Sequence, residues 1–276
     1  MLKDKILNKE SGIVLYGMTP PKENSNLENI KEIASKHIER IKRLDIDGVV
    51  LYDIQDESAR NNEVRPFPFL PTFEPQKYSG DFLSGLDLPK VLFQVVGKHS
   101  EDSLKSWMQN NVNKGDLGVF IGNSSSSQSS MVSLEEAYSL RNEFASDMLV
   151  GGVAIPERHF AKKDEHLRIA SKIKNGASYF TTQAVYNIEA SKNMLSDYYY
   201  YSTSNNLPIV PIMMTFSPCG SKKTMEFMKW LGIHFPRWLK NDLTHSEDIL
   251  GASIDTCVRT FKELVTFSLN KGIPIG

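Results

Sequence analysis

The sequence predicts an α/β fold, specifically a single (β/α)8 TIM barrel whose eighth strand is short or missing at the chain end. Three observations predict it. Short β-rich runs alternate with longer helical patterns almost from end to end, the order that builds parallel β-α units. Seven strands with an eighth beginning, in roughly 250 residues, fit a closed barrel better than a doubly wound sheet. The turn after the first strand, Gly17-Met-Thr-Pro-Pro-Lys-Glu-Asn24, is not the G-x-G-x-x-G of a dinucleotide-binding domain. No linker or internal repeat interrupts the pattern, so one domain over residues 1–276 is expected.

Each element follows from its own pattern. Residues 12–17 (GIVLYG) read as the first strand. Residues 27–44 follow as a helix, with Ile30, Ile33, Ala34, Ile38 and Ile41 spaced by threes and fours along one face. Residues 47–52 (DGVVLY) and 90–96 (KVLFQVV) are the second and third strands, and 103–111 a helix after the third. Residues 117–121 (LGVFI) are the fourth strand. The helix at 133–143 opens on the capping-box pattern Ser133-Leu-Glu-Glu136. Residues 148–155 are the fifth strand, and 161–175 a helix stopped by Gly176. The sixth strand is 178–182, with a helix at 188–202, and the seventh is 208–214. Helices at 221–231 and 247–270 lead to an extended start at 273–275.

Composition narrows the function classes. Lysine plus arginine (32) nearly balances aspartate plus glutamate (33), a formal net charge of −1, which gives no electrostatic reason to expect nucleic acid or an anionic membrane as partner. Two cysteines, Cys219 and Cys257, exclude a disulfide framework and a cysteine-built zinc site. The six histidines form no H-x-H or H-E-x-x-H pair, so no metal is expected. No stretch approaches the roughly 18–20 apolar residues of a membrane span, and the N-terminal run lacks the apolar core of a signal peptide. A soluble cytoplasmic protein, able to self-associate as a homo-oligomer, is the expectation.

Barrel chemistry sits at the C-terminal ends of the strands and in the loops that follow. Those positions hold amides, carboxylates and aromatics: Asp53, Asp56 and Glu57 with Arg60 and Arg65 after strand two; Phe67, Phe69 and Phe73 among prolines; Gly122 and Asn123 ahead of the serine-rich run 124–130; Gln183; and Thr215-Phe216. No Ser-His-Asp or Cys-His spacing favours nucleophilic catalysis. The set suits a flat, hydrogen-bonding heterocycle held by stacking and edge contacts.

Pro20-Pro21, Pro156-Glu-Arg-His159, the stretch Lys172 to Gln183 (KIKNGASYFTTQ), Pro211-Ile-Met-Met and Ile233-His-Phe-Pro-Arg-Trp238 together resemble the methylenetetrahydrofolate reductase family. The resemblance covers nearly the whole length and is most specific between residues 153 and 183. It implies reduction of 5,10-methylenetetrahydrofolate to 5-methyltetrahydrofolate, with FAD carrying hydride from NAD(P)H. It further implies that Gln183 and Phe216 bind the substrate, Gln183 by hydrogen bonds to the pterin, and that Lys172, His159, Gly122 and Asn123 contact the cofactor.

The departures from the family pattern are specific. Gly17 stands where the family carries its catalytic glutamate, Ile121-Gly122-Asn123 where it has Arg-Gly-Asp, Ile155 where it has a tyrosine, and Ser171 where it has an arginine. A glycine leaves no titratable group. Three readings follow: the acid has moved to Asp56 or Glu57, where packed like charges would raise a carboxyl pKa; the chain binds or senses folate or flavin without catalysis; or hydride comes directly from a nicotinamide without bound flavin.

Overall fold

The computed structural model of the chain describes residues 1–58, 63–123 and 130–276. Its centre is a curled parallel sheet of seven strands in sequential order, of TIM-barrel type: β1 (Leu15–Met18), β2 (Gly48–Leu51), β3 (Lys90–Val95), β4 (Leu117–Ile121), β5 (Val150–Ala154), β6 (Tyr179–Thr182) and β7 (Ile212–Met213). Every neighbouring pair is parallel, as strands joined by helical crossovers must be.

The period-2 alternation of the strands divides the core in two. Val50, Val91, Phe93, Leu117, Val119 and Tyr179 pack together inside the curl. Val49, Leu51, Leu92, Phe120, Val150, Phe180 and Ile212 face the other way and pack beneath the helices. The inner core is plugged at the N-terminal ends of the strands by α1 (Leu2–Leu7), whose Leu2 and Ile6 are buried in it. The sequence pattern does not announce α1, because six residues are too few to display a helical period.

Around the sheet lie α2 (Leu27–Ile41), α3 (Pro75–Phe82), α4 (Glu101–Lys114), α5 (Leu134–Phe144), α6 (Pro156–Lys162), α7 (Glu165–Lys174), α8 (Ile188–Ser204), α9 (Lys222–Trp230), α10 (Arg237–His245) and α11 (Ile249–Leu269). The Ser133 capping box is present as predicted, with Ser133 and Glu136 each bonding the other's backbone. Two corrections matter for the site. The helix predicted over 161–175 is two helices: Pro156 starts α6 at the end of β5, and Lys163 in the left-handed region (φ +56°) breaks it from α7. The seventh strand is two residues, not seven, because most of 208–214 makes no ladder.

The eighth position is short, as predicted. Ile275 pairs in parallel with Ile212 on one side, and on the other its carbonyl accepts from the Gly12 N–H at 2.7 Å. The last residues thus lie between β7 and the lead-in to β1. No helix among the described residues is long and apolar enough to cross a membrane.

Candidate functional site

The loops after β1 to β4 enclose a cavity of about 610 Å³ at the C-terminal ends of the strands. Its wall includes Asp53, Gln55, Asp56, Lys98, Asn123 and Phe69. Asp53 braces it: one carboxylate oxygen accepts from the Val95 N–H and the other pairs with the Lys98 ammonium, both at 2.8 Å. Lys98 also donates to the Ile54 carbonyl at 3.1 Å. The loop after β2 is thereby tied to the end of β3. Across the wall, Gln55 Nε2 donates to the Gly122 carbonyl at 3.2 Å. Asn123 lies so close to Gly97 that a Cβ at 97 would stand 2.0 Å from its Oδ1. Only glycine admits that approach.

The acidic loop departs from expectation. Asp56 lines the cavity but is exposed, and it accepts from the Ser58 N–H (2.9 Å) and hydroxyl (2.6 Å). Those bonds hold its carboxyl below the usual aspartate range, because hydrogen bonds to the charged form favour it. Asp56 is therefore ionised near neutral pH, the reverse of the proton-holding role predicted for it. Glu57 is half-buried and does not line the cavity. Arg65 lies within 5.0–5.4 Å of the ring centres of Phe227, Phe69 and Trp230 and donates to the Phe67 carbonyl at 2.7 Å. The aromatic loop divides its work: Phe69 lines the cavity, Phe67 meets Phe227 of α9 edge-on, and Phe73 meets Phe82 of α3. Arg60 and residues 124–129 of the serine run lie outside the described residues.

Of the residues carried over from the family, only Asn123 lines the cavity. Gln183 is half-buried, its Nε2 donating to the Leu231 carbonyl at 2.9 Å. Phe216 packs edge-on against Phe261 of α11 at 5.8 Å. Lys172 lies behind β5 on α7, where its ammonium donates to the Val153 carbonyl at 2.7 Å, and burial pushes its pKa down to about 8. His159 is 2% exposed, with Nε2 3.1 Å from Asp197 of α8. Neither Lys172 nor His159 offers a donor to the cavity, so this set does not fit a flavin phosphate there.

Two groups escaped the sequence reading. Tyr52, at the end of β2, projects into the curl. A Cβ on Gly17 would stand 2.6 Å from the Tyr52 phenol oxygen, so the phenol fills the space in front of the position that lacks the family carboxyl. The ring is edge-on to Phe93 at 4.8 Å. Burial raises the Tyr52 pKa against the opposing pull of a hydrogen bond with the Thr215 side chain, keeping the hydroxyl protonated. Glu157, in the first turn of α6, has both carboxyl oxygens shut from solvent, and burial pushes its pKa up to about 7. Strand-end position alone marks such groups in a sequence; their environment comes only from the packing.

A family model described as methylenetetrahydrofolate reductase matches residues 121–274. An uncharacterized Clostridium thermocellum protein that binds two copies of 5-methyl-5,6,7,8-tetrahydrofolic acid is 52% identical, covering 100% of this chain and 90% of that one, with a TM-score of 0.87. A 2,3-dimethylmalate lyase is 12% identical over 99% of this chain and 85% of that one, with a TM-score of 0.47. That similarity is too low to carry a functional argument. No curated protein matches. The family model spans more than half of the chain and the Clostridium thermocellum relative all of it, so the chain belongs to the methylenetetrahydrofolate reductase family.

Proposed function

We propose that this protein binds a reduced folate at the C-terminal mouth of a barrel completed by residues 273–276, and reduces 5,10-methylenetetrahydrofolate to 5-methyltetrahydrofolate. The observation that carries the reading is the relative identical at 52% of positions, because the molecule it binds is the product of that reaction. The cavity has the volume of an ordinary small-ligand site. Its Asn123 and Gln55 carboxamides, rather than Gln183, are the groups for the pterin edge, since an amide presents a donor and an acceptor together. Phe69 supplies an apolar wall.

In the reaction, the bond from N10 to the methylene carbon breaks, N10 takes a proton, and the resulting 5-iminium carbon accepts hydride. The hydride comes from NAD(P)H directly, a reading supported by the engagement of Lys172 and His159 elsewhere. The protein's part is orientation and proton supply. Tyr52 is the proton-bearing group nearest the position of the family glutamate: it stands beside the cavity rather than in its wall, next in sequence to the lining residue Asp53, with its hydroxyl protonated, anchored by Thr215 and in front of Gly17.

The test is calorimetric titration with 5-methyltetrahydrofolate, together with NAD(P)H oxidation in the presence of 5,10-methylenetetrahydrofolate. Binding and turnover are expected, with Tyr52→Phe lowering kcat about 10²-fold while KM for folate changes little. Folate binding without turnover would instead support a binding protein, the reading favoured by the missing carboxyl at Gly17. No folate binding would overturn both.

A further inference from the structure

Behind β5, apart from the cavity, three side chains from three successive helices converge. His159 comes from α6, His166 from α7 and Asp197 from α8, and each offers a ligand atom within 4.8 Å of the other two. His159 Nε2 and Asp197 Oδ2 are already 3.1 Å apart. The two imidazole rings meet edge to face with centres 5.4 Å apart. His166 is held on its other side by Tyr201, also at 5.4 Å.

The hydrogen bonding within this cluster is incomplete. His159 is 2% exposed, yet its Nδ1 has no partner, and the Nδ1 of His166 and Oδ1 of Asp164 beside it are likewise buried without one. A buried polar atom left unpaired is costly, and two of these three belong to the imidazoles that converge here. Two imidazoles and a carboxylate are the donor set that borderline divalent ions prefer, whereas magnesium and calcium favour all-oxygen sites. A tetrahedral ion with bonds of about 2.0–2.2 Å needs ligand atoms roughly 3.4 Å apart. The triad reaches that spacing by side-chain adjustment of about an ångström. The Asp197 side chain is 53% exposed, which leaves a route for the ion and a place for a water as fourth ligand.

We propose that His159, His166 and Asp197 form a binding site for a zinc-class divalent ion that ties α6, α7 and α8 together behind β5. The ligands come from separate helices, which explains why no short histidine motif marks them.

Zinc is the probe. The full chain, without added histidines and stripped by a chelator, is titrated with zinc by calorimetry and melted with and without it. One zinc per chain and a melting temperature higher by several degrees are expected, with no comparable effect from magnesium. His159 is too buried to be a clean variant. His166→Ala and Asp197→Asn alter the more accessible ligands, and their metal-free melting temperatures report whether they fold. Each is expected to weaken zinc binding by at least 10-fold, within the roughly 10–100-fold range seen when even supporting groups of metal sites are removed. Absence of zinc binding to the parent chain overturns the proposal. So does zinc binding that persists unchanged in both variants. Neither result bears on the folate reading, which is tested by a different ligand in the cavity at the ends of β1 to β4.

Discussion

At position 17 the absence of a side chain decides what the barrel mouth contains. A Cβ there would meet the Tyr52 phenol oxygen at 2.6 Å and Cε2 at 2.9 Å. The ring has little room to retreat, since Phe93 stands against it and Thr215 holds its hydroxyl. Gly17→Ala is therefore expected to cost about 1–3 kcal/mol, the usual penalty of overpacking, measured as a lower midpoint in urea. Gly17→Ala combined with Tyr52→Phe should recover part of that loss, because the closest clashing atom is gone. An alanine variant as stable as the parent would show that the ring swings freely and holds no fixed place. Gly17 is visible in the sequence as a missing acid, but its replacement is not. Tyr52 there reads only as the end of a buried strand, and the pairing of Gly17 with Val50 that brings its ring alongside is a tertiary fact. Asp56 shows the opposite failure: the acidic cluster is plain in the sequence, but the two bonds from Ser58 that keep it ionised come from loop geometry.

Between β5 and α7, Lys172 illustrates how an element absorbs a charge that its pattern places on an exposed face. Its stem packs over Gly152, where a Cβ would stand 2.9 Å from Lys172 Cδ. Burial then lowers the ammonium pKa from 10.5 to about 8, with the nearby Arg158 and Arg168 adding to the effect and Glu165 opposing it. The folded pKa is below the unfolded one, so between about pH 8 and 10.5 the unfolded chain binds more protons and this residue's contribution to stability rises with pH. Below pH 8 its full destabilising effect is present. Lys172→Met keeps the stem and removes the charge. It is expected to stabilise the protein at pH 7 by about 1–3 kcal/mol, after the lost bond to Val153 is counted, and to narrow that advantage towards pH 10. Urea unfolding of both chains at pH 7 and pH 10 checks it, and an advantage that does not shrink with pH would assign the effect to packing. The helix carrying Lys172 is legible from its periodicity. Its separation from α6 is not, because Lys163 adopts a left-handed turn without the glycine that normally announces one.

At the scale of the whole molecule, the order of strands and helices was legible because it depends on hydrophobic period alone, and closure was legible only as a deficit at the chain end. The structure shows what the deficit consists of. Residues near the end accept and donate on both flanks: Ile212 N–H to the Pro274 carbonyl, Gly276 N–H to the Ile212 carbonyl, Met214 N–H to the Gly276 carbonyl, and Gly12 N–H to the Ile275 carbonyl. Parallel edges left open would expose unpaired backbone groups along β7 and ahead of β1. Ile273 and Ile275 anchor this seam in the layer under the helices, at 0% and 2% exposure. Ile275→Ala removes the anchor but keeps every backbone bond, and it is expected to cost about 2–5 kcal/mol. The cavity lies between β1 and β4, so folate affinity is expected to persist wherever the variant remains folded. Thermal melting and folate titration on the same variant separate the two effects. A large loss of affinity in a chain that melts like its parent would place the seam in the binding site rather than in the frame that carries it.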